Sequence, residues 1–258
     1  MTTIGFIGTG TITAAMVAGL CAAPASPAQI LVGPRNPNKA ADLARRFTRV
    51  TVAADNQSVV NGSDWLVLAV PPQVAHAVVS ELKFKPGQRI LSLIAPVDDQ
   101  WLDAAVAPGR LAARIFVMPS VESRIGPTLS FPYDAEVAAL LAPLGTPISV
   151  QDRREFLALW SLTALLAPYY GFLASSAEWA AGNGARAQTA TAFASASFHA
   201  LAAIADRPGA APPTELAQHA QTPGGLNEQV VRELTNANWF GAIGPALDGI
   251  LKRLEGGS

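Results

Sequence analysis

The chain has 258 residues, 50% of them apolar and 14% charged, with a formal net charge of −1. That balance is too apolar for disorder, and without a basic cluster it argues against nucleic acid or an anionic membrane surface as a partner. Cys21 stands alone and His76, His199 and His219 are scattered, which excludes an internal disulfide and a multi-cysteine metal site and leaves no metal-ligand spacing.

The predicted elements begin with a short apolar strand, Ile4–Ile7, that runs into Gly8-Thr9-Gly10 and at once into a helical stretch, Thr13–Cys21. This is the pattern of the phosphate-cradling turn of a dinucleotide-binding unit. Gly8 allows the tight turn, Gly10 lets the backbone approach a pyrophosphate, and the free N–H groups at the helix start, from Thr11 and Ile12 onward, face the phosphates. Thr13 stands where the third glycine of the fingerprint usually serves close helix–strand packing.

Strands at Ile30–Val32, Val50–Ala53, Trp65–Val70, Ile90–Ile94 and Ile115–Val117 alternate with helices at Asn38–Phe47, Asn56–Asn61, Val74–Leu82 and Asp98–Val106. Continuous apolar runs such as Trp65–Val70 imply burial on both faces, as in a parallel sheet with helices on either side. Right-handed crossovers then give a doubly wound α/β sheet. The stretch 129–150 adds a further strand–helix–strand piece. After about Val150 the chain turns Ala-rich. Long helices are predicted over 153–206, broken near Gly182-Asn183-Gly184. Helices resume after Pro208–Pro213, and Thr222-Pro223-Gly224-Gly225 forms a turn before Leu226–Leu234. The predicted organisation is a Rossmann-like domain over 1–150 and an all-helical domain over 151–258.

The N-terminus has neither the basic flank nor the cleavage site of a signal peptide, so a cytoplasmic protein is expected. The uncharged stretch Phe156–Ala177 is long enough to span a bilayer, but its serines, threonine, tyrosines and Pro168 fit better a helix buried within a domain or a dimer. Past the second strand, where NAD-preferring proteins place an acid, stand Pro34-Arg35-Asn36. A cation and an amide there suit a 2′-phosphate, so NADPH is expected over NADH. Ala69-Val70-Pro71 and Met118-Pro119-Ser120 follow the fourth and sixth strands, at the carboxyl ends where open α/β sheets bind ligands.

Taken together, Ile4–Gly10, Asp55-Asn56, Leu68–Gln73, Met118-Pro119, Pro168-Tyr169-Tyr170 and Thr222–Gly225 resemble the pyrroline-5-carboxylate reductase family over nearly the whole chain. The resemblance implies NADPH-dependent reduction of a cyclic imine, with hydride delivered to the C=N carbon, and a helical C-terminal half that interlocks with a partner subunit in a homodimer or higher oligomer. It implies that Asn56 lies near the adenosine ribose and that Ala69, Val70 and Pro71 line the cofactor, with Met118, Pro119 and Ser120 beyond them. Pro71 replaces a family lysine, and Leu226-Asn227 replace two threonines that help hold the substrate carboxylate. Thr222, Gly224, Gly225 and Asn227 are therefore the expected substrate contacts in a divergent member. Glu122 replaces an uncharged family residue beside the implied nicotinamide and joins them. Tyr170 and Thr163 are the candidate catalytic proton donors, because an imine needs a proton at nitrogen as well as hydride at carbon.

Three other readings stay open. A β-hydroxyacid dehydrogenase shares the fold plan, but it uses a lysine early in its second domain, and no lysine occurs between Lys85 and Lys252. A protein that binds NADPH without catalysis, as a sensor or assembly component, is compatible with Thr13, Pro71 and Leu226. Reduction of a different carrier, such as a deazaflavin, would need a broad cleft beside the nicotinamide.

Overall fold

A computed structural model describes residues 2–24, 27–95 and 97–256. Two compact units emerge, one of Met1–Trp160 with Leu251–Ser258 and one of Ser161–Ile250.

The first unit is built on an eight-stranded sheet in the order β3-β2-β1-β4-β5-β6-β7-β8. Its strands are β1 Thr3–Ile7, β2 Gln29–Val32, β3 Val50–Val52, β4 Trp65–Leu68, β5 Arg89–Ser92, β6 Arg110–Val117, β7 Pro127–Phe131 and β8 Thr146–Ser149. The first six are mutually parallel. The sheet reverses once, where β7 pairs antiparallel to β6, and β8 then pairs parallel to β7. The connections between the parallel strands carry α1 Thr11–Ala22, α2 Pro37–Arg46, α3 Asn56–Gly62, α4 Pro72–Ser80 and α5 Asp99–Ala105. α6 Ala135–Leu141 links β7 to β8. This is the doubly wound α/β plan expected from the apolar strand runs.

Each face of the sheet has its own core. Ile4, Phe6, Ile30, Val32 and Val67 pack against Met16, Val17 and Leu20 of α1, Leu43 of α2, and Val137 and Leu141 of α6. Ile7, Leu31, Leu66, Leu68 and Ile90 point to the other face and meet Val59 and Val60 of α3, Val79 of α4 and Leu102 of α5. Adjacent residues of one strand thus enter opposite cores, which is why the strands read as unbroken apolar runs. Each large aliphatic side chain so buried stabilises the unit by about 1.5–3 kcal/mol. A smaller core gathers Leu129, Val150, Phe156 and Leu157, with Phe116, Trp160 and Leu254 packed against it.

Local chemistry sets the helix starts. Asn36, Asp55, Asp98 and Asp134 cap α2, α3, α5 and α6, each accepting a backbone N–H in the first turn. α1 differs: its N-cap is Gly10, and no side chain caps it. Its first N–H groups are left for another partner.

The second unit is helical. The chain leaves α7 Arg153–Ser161, which belongs to the first unit up to Trp160, through a 3-10 turn, Leu162–Leu165, into α8 Leu166–Gly182. α9 Ala187–Ala205, α10 Pro213–His219, α11 Leu226–Asn236 and α12 Ile243–Leu254 follow. The expected break at 222–225 falls between helices, and those at 182–184 and 208–213 fall at the end of α8 and just before and at the start of α10. The span Arg153–Gly182 is long and apolar enough to cross a membrane by length and composition. Trp179 and Phe193 are 72% and 75% exposed within one chain, and only Ser161, Ala177 and Ala190 of this unit are buried.

Candidate functional site

The order β3-β2-β1-β4 places a topological switch between β1 and β4, where sequential strands leave in opposite directions and a crevice opens beyond their carboxyl ends. Gly8 stands at the end of β1 in that crevice. Its φ is +99°, and a Cβ there would lie 2.5 Å from the Ala69 carbonyl oxygen. Only glycine lets the first turn lie so close to the chain leaving β4. Gly10 is the complementary case, because a Cβ on it would meet nothing within 4 Å. The backbone there faces open space directly before the uncapped N-terminus of α1. That cradle, with its free N–H groups and positive dipole end, fits a pyrophosphate.

Two threonines hold the turn. The Thr9 hydroxyl donates to the Gly33 carbonyl at 2.6 Å, tying the turn to the end of β2. The Thr13 hydroxyl, fully buried, donates to the Gly8 carbonyl at 2.6 Å. Thr13 thus replaces the third glycine with a hydrogen bond across the turn. Ile12 packs on the adjoining core.

Beyond β2 the residues of a ribose-phosphate corner assemble. Arg35 is exposed, and the Asn36 side chain accepts the Lys39 backbone N–H at 3.2 Å. Lys39, which the sequence did not single out, reaches back so that its ammonium donates to the Thr11 hydroxyl at 2.9 Å. It stands three residues after the cap, in the first turn of a helix that starts at the nucleotide end, and that position was its available signal. Asn56 opens α3, its side-chain oxygen 2.7 Å from where a Cβ on Gly33 would stand. Arg35, Asn36, Lys39, Thr11 and Asn56 therefore surround the carboxyl end of β2. Hydrogen bonds from the Ser58 backbone and side chain hold the neighbouring Asp55 carboxyl below the usual carboxylate range.

The other cofactor candidates divide. Ala69 is fixed by its N–H to the Ile7 carbonyl at 2.8 Å, and Pro71 caps α4. The Val70 side chain is buried, its Cγ1 3.1 Å from where a Cβ on Gly8 would stand. Met118 follows β6, and Pro119 and Ser120 lie in the 3-10 turn Pro119–Ser123. The Ser120 hydroxyl donates to the Ile125 carbonyl at 2.7 Å, inside the β6–β7 connection.

Glu122 is the clear departure. It forms an ion pair with Arg46 at 3.4 Å, in the last turn of α2. Its neighbour Val121 sets its carbonyl against Gly19, late in α1. Both helices start at the nucleotide end, and Arg46 stands about 15 Å along α2 from Asn36 at 1.5 Å per residue. This pairing turns the Glu122 carboxylate toward α2.

The remaining candidates belong to the second unit. Thr163 lies in the 3-10 turn before α8, and Tyr170 is 64% exposed on α8, its ring 5.5 Å from that of Tyr169. Thr222, Gly224 and Gly225 form the turn before α11, closed by the Gly225 N–H to the Thr222 carbonyl at 2.7 Å. Glu228 reaches back to accept the Gly224 N–H at 2.7 Å. The Asn227 amide donates to the Ala220 carbonyl at 2.9 Å, and Leu226 is 83% exposed. Among the described residues no group of three or more His, Cys, Asp or Glu could hold a metal ion.

A glycine turn at a switch point, an uncapped helix start and a basic corner past β2 define a dinucleotide-binding α/β protein. Residues 3–96 match the family model described as NADP oxidoreductase coenzyme F420-dependent. The pyrroline-5-carboxylate reductase of Corynebacterium melassecola is 28% identical over 273 residues, covering 99% of this chain and 98% of that protein. The enzyme of the same name from Pseudomonas aeruginosa is 28% identical over 253 residues, 93% of this chain and 90% of its own. Among solved structures, 1-pyrroline-5-carboxylate reductase from Streptococcus pyogenes superposes with a TM-score of 0.84 at 20% identity, over 99% of this chain and 98% of that one. The chain is thus similar over nearly its whole length to proteins named pyrroline-5-carboxylate reductase.

Proposed function

We propose that this protein is an NADPH-dependent oxidoreductase that reduces the C=N bond of a small cyclic imine, pyrroline-5-carboxylate or a close relative of it. The observation that carries the cofactor half is the open cradle at Gly10, set before an α1 N-terminus that no side chain caps. The full-length likeness to enzymes named for this reaction supports the imine half.

In this reading the Gly8–Ile12 turn holds the pyrophosphate and Arg35, Asn36 and Lys39 hold the 2′-phosphate. Asn56 stands by the adenosine ribose, and the backbone from Ala69 to Pro71 and at Met118-Pro119 lines the nicotinamide half. Arg35 and Lys39 together supply two cations where NAD-specific proteins carry an acid, which favours NADPH over NADH. Bound there, NADPH supplies the hydride. The chain's own work is to orient the imine, exclude water and hold a proton for the nitrogen. Tyr170 is the proposed proton donor and Thr163 its alternative. Thr222, Gly224, Gly225 and Asn227 are the proposed substrate contacts.

A homodimer through the helical unit is part of the proposal. Trp179, Phe193, Phe198 and Ala190 line an apolar groove of about 570 Å³ between α8 and α9. A second copy covering that face would bury what one chain leaves in water. The span Arg153–Gly182 then serves as an interface helix, consistent with a cytoplasmic enzyme.

The deciding experiment follows loss of the reduced-nicotinamide absorbance with pyrroline-5-carboxylate and with a panel of uncarboxylated cyclic imines. Turnover of any of them supports the reading. Tight NADPH binding without any turnover would move the protein to a cofactor-binding role.

A further inference from the structure

We infer that Arg114 is a positioning residue for the nicotinamide half of the cofactor site, an inference that rests on the dinucleotide reading above. Arg114 lies within β6 and pairs in register with Ser92, the last residue of β5. It is 6% exposed, an expensive place for a guanidinium, and its Nε finds no hydrogen-bond partner among the described residues, so the compensation comes from the two terminal nitrogens. Packing alone would be served as well by an apolar residue of similar length. What Arg114 does instead is grip the chain leaving the neighbouring strand.

One guanidinium nitrogen donates to the Ile94 carbonyl at 2.5 Å. The other donates to the Val97 carbonyl at 3.4 Å and to the Asp99 carboxylate. The second oxygen of Asp99 accepts from Arg153 of α7 at 2.6 Å. The β5–α5 connection is thus pinned at Ile94, Val97 and the first residue of α5 by a side chain from β6.

That connection matters because of where it stands. Leu93 donates its N–H to the Leu68 carbonyl at 2.9 Å, so the chain leaves β5 directly beside the Ala69–Pro71 exit from β4. In a doubly wound sheet one mononucleotide half lies over the first three strands and the other over the next three. The basic corner past β2 assigns the adenosine half to β1–β3, which leaves the nicotinamide half for the exits of β4, β5 and β6. Among the described residues, the hydrogen bonds and ion pair of Arg114 go to Ile94, Val97 and Asp99 and not to the adenosine corner. Its effect is to set the backbone against which the second half docks.

The test uses full-length protein with Arg114→Met and Arg114→Lys. Two ligands are titrated: NADPH, and the 2′-phosphorylated adenosine fragment that lacks nicotinamide. In Arg114→Met the NADPH Kd is expected to rise at least about tenfold, while the fragment Kd stays within about twofold of the parent. Arg114→Lys, which keeps the charge but not the fork, is expected to fall between the two. Parallel loss of both ligands would mean a general structural role and overturn the inference, as would unchanged NADPH binding. Should Arg114→Met fail to fold, the same ratio read in Arg114→Lys decides. A parent protein that binds neither ligand would overturn the cofactor reading itself, which is distinguishable because no variant is needed to see it.

Discussion

Alanine at Gly8 and alanine at Gly10 should fail in opposite ways. Gly8 has a φ of +99°, and its new Cβ would stand 2.5 Å from the Ala69 carbonyl oxygen and 2.8 Å from its carbon. Left-handed backbone costs an ordinary residue about 1–2 kcal/mol, and overpacking against backbone adds about 1–3. Gly8→Ala should therefore lose roughly 2–5 kcal/mol, or about 4–20 °C in Tm at 2–4 °C per kcal/mol for a chain of this size. Gly10 has a φ of −86° and a ψ of −170°, which alanine adopts freely, and a Cβ there meets nothing. Alanine is the poorer N-cap by roughly 0.5–1.5 kcal/mol, but its stiffer unfolded chain returns about 0.4–1 kcal/mol, so Tm should stay within about 4 °C. The methyl group does, however, occupy the space a pyrophosphate needs. Losing one or two charge-assisted contacts of about 1.5–3 kcal/mol each weakens NADPH by at least about tenfold. Thermal unfolding by circular dichroism, with and without NADPH, reads both effects. Unimpaired NADPH binding by folded Gly10→Ala would refute the phosphate cradle. Equal destabilisation by the two substitutions would refute the packing account.

Arg35→Ala and Lys39→Ala should each weaken NADPH by roughly 1.5–3 kcal/mol while leaving NADH nearly unchanged, and equal loss for both cofactors would remove the 2′-phosphate assignment. Burial pushes the Asp134 carboxyl up, but the Val137 and Glu136 N–H groups and the Arg89 guanidinium outweigh it and hold it below the ordinary carboxylate value. A depressed folded pKa contributes stability above the unfolded value and loses it as pH falls through the folded one. Asp134→Asn should therefore lower Tm at neutral pH, where the ionised carboxylate is stabilising, and flatten the acid limb below about pH 4, where variant and parent converge; an unchanged acid limb would contradict the pairing. Trp179→Glu combined with Phe193→Glu should convert a dimer to monomer in sedimentation equilibrium, and a dimer that persists would place the interface elsewhere.

Much of the sheet was legible because burial on both faces writes unbroken apolar runs. β1 and β4 start within a residue of their predicted places, and the strand–helix–strand piece over 129–150 appears as β7, α6 and β8. The reversal of β7 was not legible, since strand direction leaves no mark in composition. β6 runs from Arg110 rather than Ile115 because Arg114 interrupts the apolar pattern. Its charge reads as exterior until the carbonyls that satisfy it are seen. β5 stops at Ser92, short of the apolar Leu93 and Ile94, for the same reason: the Ile94 carbonyl turns to Arg114 instead of a neighbouring strand. At the site, the glycine turn announced itself through spacing. Lys39 did not, because its relevance depends on a helix bringing its ammonium back over Thr11. Glu122 reads in sequence as a loop acid beside Met118-Pro119, and only the folded chain brings Arg46 of α2 within reach of its carboxylate.

The scarcity of buried residues in the helical unit bears on how the protein forms. Of 161–250, only Ser161, Ala177 and Ala190 are shielded within one chain. Conformational entropy of roughly 1–2 kcal/mol per residue has little to oppose it in such a segment alone. If a second copy supplies the missing contacts, the helices become ordered on encounter, and that step is second order in protein. The nucleotide-binding unit, with cores on both faces of its sheet, has no such dependence. A nascent chain would then pass through a stage that already holds its cofactor while its helical half awaits another chain. Dilution would lengthen that stage, and proteases would find their cut sites there.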